Sequence, residues 1–457
     1  MRVMSFRPFY QKMIFSCVIL TAFASSSVFA DSNRNEQKPV AEIVSKAAQE
    51  HQILYKLTTL DEFKKIVGQP IKETKKTDGG MEICDIEYFD ISAHFGRMKE
   101  GTAPPTILRV GGKNGTFDIG ENRQIVLRDT NDLNKFDSFW GFAGVSLINL
   151  DLRGHKKLLD DMPFDSLTKW PEPNRLPEGF EPARLLEEGK NPGLGIRNLQ
   201  KNGVDGKGVG IAIIDQPLVR NHKELRDIVV QFEDIDVQNV GPQMHGPAVT
   251  SIAVGKTCGV APAASLVYYA IPMWQWNSCR PYCDVINKIL ELNKTLKDSE
   301  KIRVVSISMG MFSAWPDFDI WKQIVEKANN HGILVVTCDD KLFVAYGMLK
   351  RNLSGNPDDP NAYLRGRYSS DEDVLRVPGG NRTIASQVGP EVYKFDRAGG
   401  MSWGAPYLAG LAALAFQVNP QIEPNKIVEL WLKTAVHTDA GPVVNPVGFI
   451  EAVRKLK

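Results

Sequence analysis

From about residue 196 onward, short apolar runs alternate with helical stretches. Val209 to Ile214, Leu266 to Ile271, Val304 to Ser308 and Ile333 to Thr337 are strand-like runs, apolar enough to be covered on both faces. Between them, Pro247 to Val254, Val285 to Leu296 and Ile320 to Asn330 read as helices, the last stopped near Gly332. This alternation predicts an α/β fold with a mainly parallel central sheet between two layers of helices. In such sheets a site forms beyond the carboxyl ends of the strands.

The N-terminal third has a different texture. Amphipathic stretches near Val40 to Ala48 and Asp61 to Val67 give way to alternating or aromatic runs such as Ile83 to Ile91. They predict a small α+β region over residues 31–170. Pro171, Pro173, Pro177 and Pro182 would interrupt any helix or central strand, so residues 171–195 read as a linker and 196–457 as the principal domain.

Ahead of both regions, Arg2, Arg7 and Lys12 precede an apolar run from Met13 to Ala24, and small residues end at Val28-Phe29-Ala30. That is the layout of an export signal over residues 1–30, cleaved before Asp31, so the expected location is secreted or periplasmic. The run is about a dozen residues against the ~20 a spanning helix needs, and no stable membrane span is expected. Cys17 is a weaker candidate for lipid attachment, because apolar residues continue well beyond it.

Composition narrows the partners. With 43% hydrophobic and 24% charged residues and a formal net charge of +1, the chain is globular and offers no electrostatic case for nucleic acid. Beyond the signal lie Cys84, Cys258, Cys279, Cys283 and Cys338, an odd number for an oxidising compartment. Cys279 and Cys283 flank Pro281 as a small disulfide or two inert thiols, and no second Cys/His pair completes a metal site.

Three residues stand where chemistry is expected. Asp215 closes the run Val209 to Ile214, although an Asp there also makes turns and helix caps. His245 opens an apolar helix, with Gly246 allowing close approach. Ser402 follows Gly399 and Gly400 and precedes Pro406 and a small-residue helix, which places a hydroxyl at a helix N-terminus or makes it an N-cap.

Together these segments resemble the subtilase family of serine peptidases, whose members keep Asp, His and Ser in this order. The spacing, 30 residues from Asp215 to His245 and 157 on to Ser402, suits that family. Gly259-Val-Ala-Pro and Val377-Pro378-Gly379 resemble family landmarks, and His222 resembles a structural histidine. The resemblance implies a subtilisin-like three-layer fold and a secreted endopeptidase with Asp215, His245 and Ser402 as catalytic triad. It implies substrate binding by main-chain pairing along Ser308, Met309 and Gly310, and protein or peptide substrates. No cofactor is required; calcium enters by resemblance only, with no motif to place it. Residues 31–170 are then a propeptide or a retained accessory domain.

Departures from the family pattern are equally specific. Asp215 is followed by Gln216-Pro217, His245-Gly by Pro247-Ala248, and Ser402 by Trp403-Gly404. Where the family has its oxyanion Asn, this chain has Val336-Thr-Cys-Asp339-Asp340-Lys341. Asp340, or less readily Asp339, is the expected occupant, able to help only if protonated. A catalytically silent, peptide-binding subtilase fold is the rival reading. Gly400-Met-Ser402-Trp-Gly404 also fits a lipase elbow as a bare string, but Asp215 and His245 precede the serine, contrary to that order.

Overall fold

The computed structural model describes residues 63–65, 69, 72–78, 81–87, 91–98, 106–112, 115–116, 125–136, 141–237, 240–273, 278–338, 343–366 and 374–456. The signal stretch, the helix expected near Val40, and Asp339, Asp340 and Lys341 lie outside them. Contacts divide the chain into two compact units, 1–137 with 144–152 and 169–175, and 138–143 with 153–168 and 176–457.

The first unit contains an antiparallel sheet of Lys72–Asp78, Met81–Glu87, Ile91–Met98, Thr106–Gly112 and Gly115–Thr116, paired in chain order. Each strand pairs with the next in chain order, so the sheet is a meander without crossovers.

The larger unit is built on a parallel sheet. We label its strands β1 (Gly210–Asp215), β2 (Val229–Asp234), β3 (Ser265–Ala270), β4 (Ile302–Ser306) and β5 (Leu334–Val336). Their spatial order is β2-β3-β1-β4-β5, with β1 at the centre. All six residues of β1 are buried, which requires cover on both faces. Helices α1 (His245–Val254) and α4 (Met401–Val418) pack on each other, and Gly410 of α4 faces Val260 and the Ala253 carbonyl too closely for a side chain. Helices α2 (Arg280–Thr295) and α3 (Phe318–Asn330) form a second pair. The sheet is the α/β core that the apolar runs predict.

Two smaller sheets complete the unit. A mixed sheet joins Tyr363–Arg365, Tyr346–Arg351, Leu375–Gly380, Gly441–Val443 and Val436–Thr438 in that order. An antiparallel one joins Arg382–Ala385, Tyr393–Asp396 and Phe164–Asp165. Residues 153–168 are thereby held in the larger unit, and Arg397 fastens them by donating to the Leu159 and Met162 carbonyls at 2.8 and 3.3 Å. The stretch expected as a linker is also structured: Pro182 starts a helix, Pro182–Glu188, where proline's missing N–H is harmless, and residues 176–195 belong to the larger unit.

Candidate active site

Asp215 is the last residue of β1 and fully buried. His245 is the first residue of α1, where Pro247 stands within the first turn and its lack of an N–H costs no hydrogen bond. The His245 Nδ1 donates to Oδ1 of Asp215 at 2.7 Å, and the Gln216 N–H reaches the same oxygen at 2.8 Å. A carboxylate at Nδ1 fixes the proton there and leaves Nε2 with a lone pair, the tautomer a general base needs. The other carboxylate oxygen, Oδ2, is buried with no hydrogen-bond partner among the described residues.

The approach of β1 and α1 depends on the absence of a side chain at Gly246. A Cβ there would sit 2.3 Å from the Gln216 carbonyl oxygen and 2.7 Å from the Tyr268 hydroxyl. That hydroxyl donates to the Gln216 carbonyl at 2.5 Å and pins the turn after Asp215. Burial, and then the Asp215 charge, push the Tyr268 and Tyr282 phenols up, so both stay neutral.

Ser402 is the second residue of α4. Gly400, extended, is the cap residue, so Ser402 is not an N-cap. The chain enters through Gly399, whose φ of +67° suits glycine and whose Cβ would fall 2.7 Å from the Gly379 carbonyl carbon. Pro406 stands four residues on and has no N–H to give the Ser402 carbonyl. That carbonyl accepts from the Ser308 hydroxyl at 2.9 Å, and the Ser402 hydroxyl donates to the Ser308 carbonyl at 3.3 Å. Trp403, the residue after Ser402, lies edge-on to the His245 ring, with centroids 5.6 Å apart.

Of the three residues singled out by sequence, Asp215 and His245 are bonded directly, and Ser402 is the chain neighbour of Trp403, whose ring packs on His245. Ser308, Met309 and Gly310 run past the end of β4, all buried, with the Met309 carbonyl accepting from the Cys338 N–H at 3.2 Å. The regular strand stops at Ser306, two residues short of the expected end. Sequence reading missed the Ser308 hydroxyl contact, the Trp403 packing and the Tyr268 clamp. Only Pro406 carried a signal, since a proline in the second turn of a helix leaves a carbonyl to be satisfied elsewhere.

His222 sits apart from this group. Its Nε2 donates to the Val392 carbonyl at 3.0 Å, and its Nδ1 accepts from the Glu224 N–H at 3.1 Å, which is a structural neutral imidazole. Cys279 and Cys283 are both buried thiols, and burial pushes Cys283 up to about 12. Among the described residues no group of three His, Cys, Asp or Glu side chains gathers as a metal site, and no helix is long and apolar enough to cross a membrane.

The chain is similar to known proteins over part of its length. The subtilase family model matches residues 206–339, the stretch that carries Asp215 and His245. The serine protease AprX of Bacillus subtilis strain 168 is 25% identical over 283 residues, 51% of this chain and 62% of that protein. The major intracellular serine protease of the same organism is 26% identical over 175 residues, 36% of this chain and 49% of that protein. The chain thus spans less than two thirds of the length of each. A solved structure of the subtilase cytotoxin SubAB assembly overlaps 58% of this chain and 96% of its own, with TM-score 0.46 and 13% identity.

Proposed function

We propose that the chain is a divergent subtilase, similar to that family over residues 206–339 and to serine proteases 25–26% identical to it, and that it is an exported serine endopeptidase with Asp215, His245 and Ser402 as its triad. The observation that carries the reading is the 2.7 Å bond between Asp215 and His245, made at the end of a buried strand. The Nε2 lone pair takes the Ser402 proton as Oγ attacks the peptide carbonyl, and His245 then gives that proton to the leaving amine. Asp215 holds the tautomer and stabilises the imidazolium. Substrate lies along Ser308, Met309 and Gly310 by main-chain pairing, which gives affinity with modest sequence preference. Residues 1–30 direct export, and residues 31–170 serve as propeptide or accessory domain. No cofactor takes part in the chemistry.

A silent, peptide-binding role is the second reading. It is favoured by the Ser402 hydroxyl bonding to Ser308 and by the absence of Asn from residues 336–341. A fluorophosphonate probe separates the two. Labelling at Ser402, lost in Ser402→Ala and strongly slowed in His245→Ala, supports the peptidase. Peptide binding by a folded chain that neither labels nor cleaves supports the silent fold.

A further inference from the structure

The Ser402 hydroxyl has one proton, and in the free protein that proton is directed at the Ser308 carbonyl, 3.3 Å away. No described residue donates to Nε2 of His245, the atom that must receive the proton if Ser402 is to attack. The nucleophile is therefore parked, and the acceptor that parks it belongs to the very segment on which a substrate strand would pair. Ser308 itself is held in register by its own hydroxyl, which donates to the Ser402 carbonyl that Pro406 leaves out of the helix ladder.

We infer that Ser308 is a positioning residue which releases the nucleophile only when a substrate backbone N–H takes over its carbonyl. The inference rests on the peptidase reading above. At 3.3 Å the parking bond is longer than the usual O–H···O contact of about 2.7–2.8 Å, hence weak and readily exchanged. A peptide N–H that pairs with the Ser308 carbonyl competes for the oxygen that holds the hydroxyl. The hydroxyl then turns to Nε2 of His245, the alternative acceptor at the site. Binding the correct backbone and arming the nucleophile become one event, and a small molecule that brings no such N–H still reacts with Ser402, but more slowly, because the serine is parked for most of the time. Ordered contacts change hands but no covalent bond is involved: one O–H···O bond is lost, one N–H···O and one O–H···N bond are gained.

Two measurements test this. The first compares a peptidyl diphenyl phosphonate with its isostere in which an ester oxygen replaces the N–H next to the phosphorus-bearing carbon. In both, Ser402 Oγ bonds to phosphorus, phenoxide leaves, and the proton passes to His245. The ester is expected to lose about 10–100-fold in the inactivation rate at saturation, as for a misplaced reacting group. A difference confined to the binding constant, or no difference, overturns the inference while leaving the peptidase reading intact. A folded chain that reacts with neither probe overturns both. The second measurement is the ¹⁵N resonance of His245 Nε2 in the free protein, which does not depend on turnover. It should be unmoved by Ser402→Ala, because the hydroxyl is bonded elsewhere; a clear shift shows that Ser402 already donates to His245, and the inference fails.

Discussion

The Tyr393 hydroxyl donates to Oε1 of Glu224, joining strand Tyr393–Asp396 to the loop that follows β1. Oε2 of the same carboxylate accepts from the Thr257 and Cys258 N–H groups at 2.6 and 3.1 Å, and Oε1 also accepts from the Thr257 hydroxyl. Burial alone would raise the carboxyl, but these donors prevail and hold it below the ordinary 4.5. Two residues earlier, burial holds His222 below the ordinary 6.5. Both groups take up protons more readily unfolded than folded, so both remove stability as pH falls. Stability should be at its full value above pH 6.5, decline below it as His222 protonates in the unfolded chain, and decline further below pH 4.5 through Glu224. Calorimetric melting from pH 8 to pH 4 checks this; a Tm that stays level to pH 4 contradicts it.

The same network predicts the cost of one substitution. Glu224→Gln keeps the shape but turns an amide donor toward hydrogen-bond donors and removes the charge that strengthens those bonds. A loss of about 2–4 kcal/mol is expected, since hydrogen bonds to charged groups contribute about 1.5–3 kcal/mol each and the variant rearranges several. Urea unfolding gives the number, and the share of the decline below pH 4.5 that Glu224 contributes should disappear with the carboxyl.

Cys258, Cys279, Cys283 and Cys338 are buried thiols, and burial pushes Cys258 and Cys283 well up, which suppresses the reactive thiolate. Alkylation with iodoacetamide followed by peptide mass mapping should therefore leave these four unmodified in the folded protein and modify them in denaturant. Rapid modification of any of them under native conditions refutes their burial.

The core sheet was legible because its strands are short, apolar and continuous: β1, β3, β4 and β5 fall within two residues of the apolar runs Val209 to Ile214, Leu266 to Ile271, Val304 to Ser308 and Ile333 to Thr337. Strand β2 was not, because Val229–Asp234 is an edge strand with no fully buried position and a mixed sequence. The prolines of residues 171–195 suggested a linker, yet Pro182 begins a helix, since the same residue that ends one element can open another. Asp215, His245 and Ser402 stood out because each sits at a junction of strand, loop and helix. The contacts of Ser308, Tyr268 and Trp403 were not, because they join segments dozens of residues apart and no local pattern encodes them.

Gly246 offers the sharpest test of how the Asp215–His245 pair is held. Within a helix, Gly→Ala ordinarily stabilises by about 1 kcal/mol. Here the new methyl would stand 2.3 Å from the Gln216 carbonyl oxygen and 2.7 Å from the Tyr268 hydroxyl. The backbone oxygen cannot swing aside as a flexible side chain can, so α1 and the turn after Asp215 must separate. Overpacking of this kind costs about 1–3 kcal/mol, which reverses the sign of the propensity term. Because the strained turn carries Asp215 and the displaced helix carries His245, kcat/KM should fall about 10²-fold, as expected for a displacement near 1 Å in a reacting group. Adding Tyr268→Phe removes the 2.7 Å contact but not the 2.3 Å one, so the double variant should recover only part of the loss. Gly246→Ala with unchanged or raised Tm and unchanged kcat/KM would show that the backbone at Gln216 yields freely and that the clamp does not position the pair.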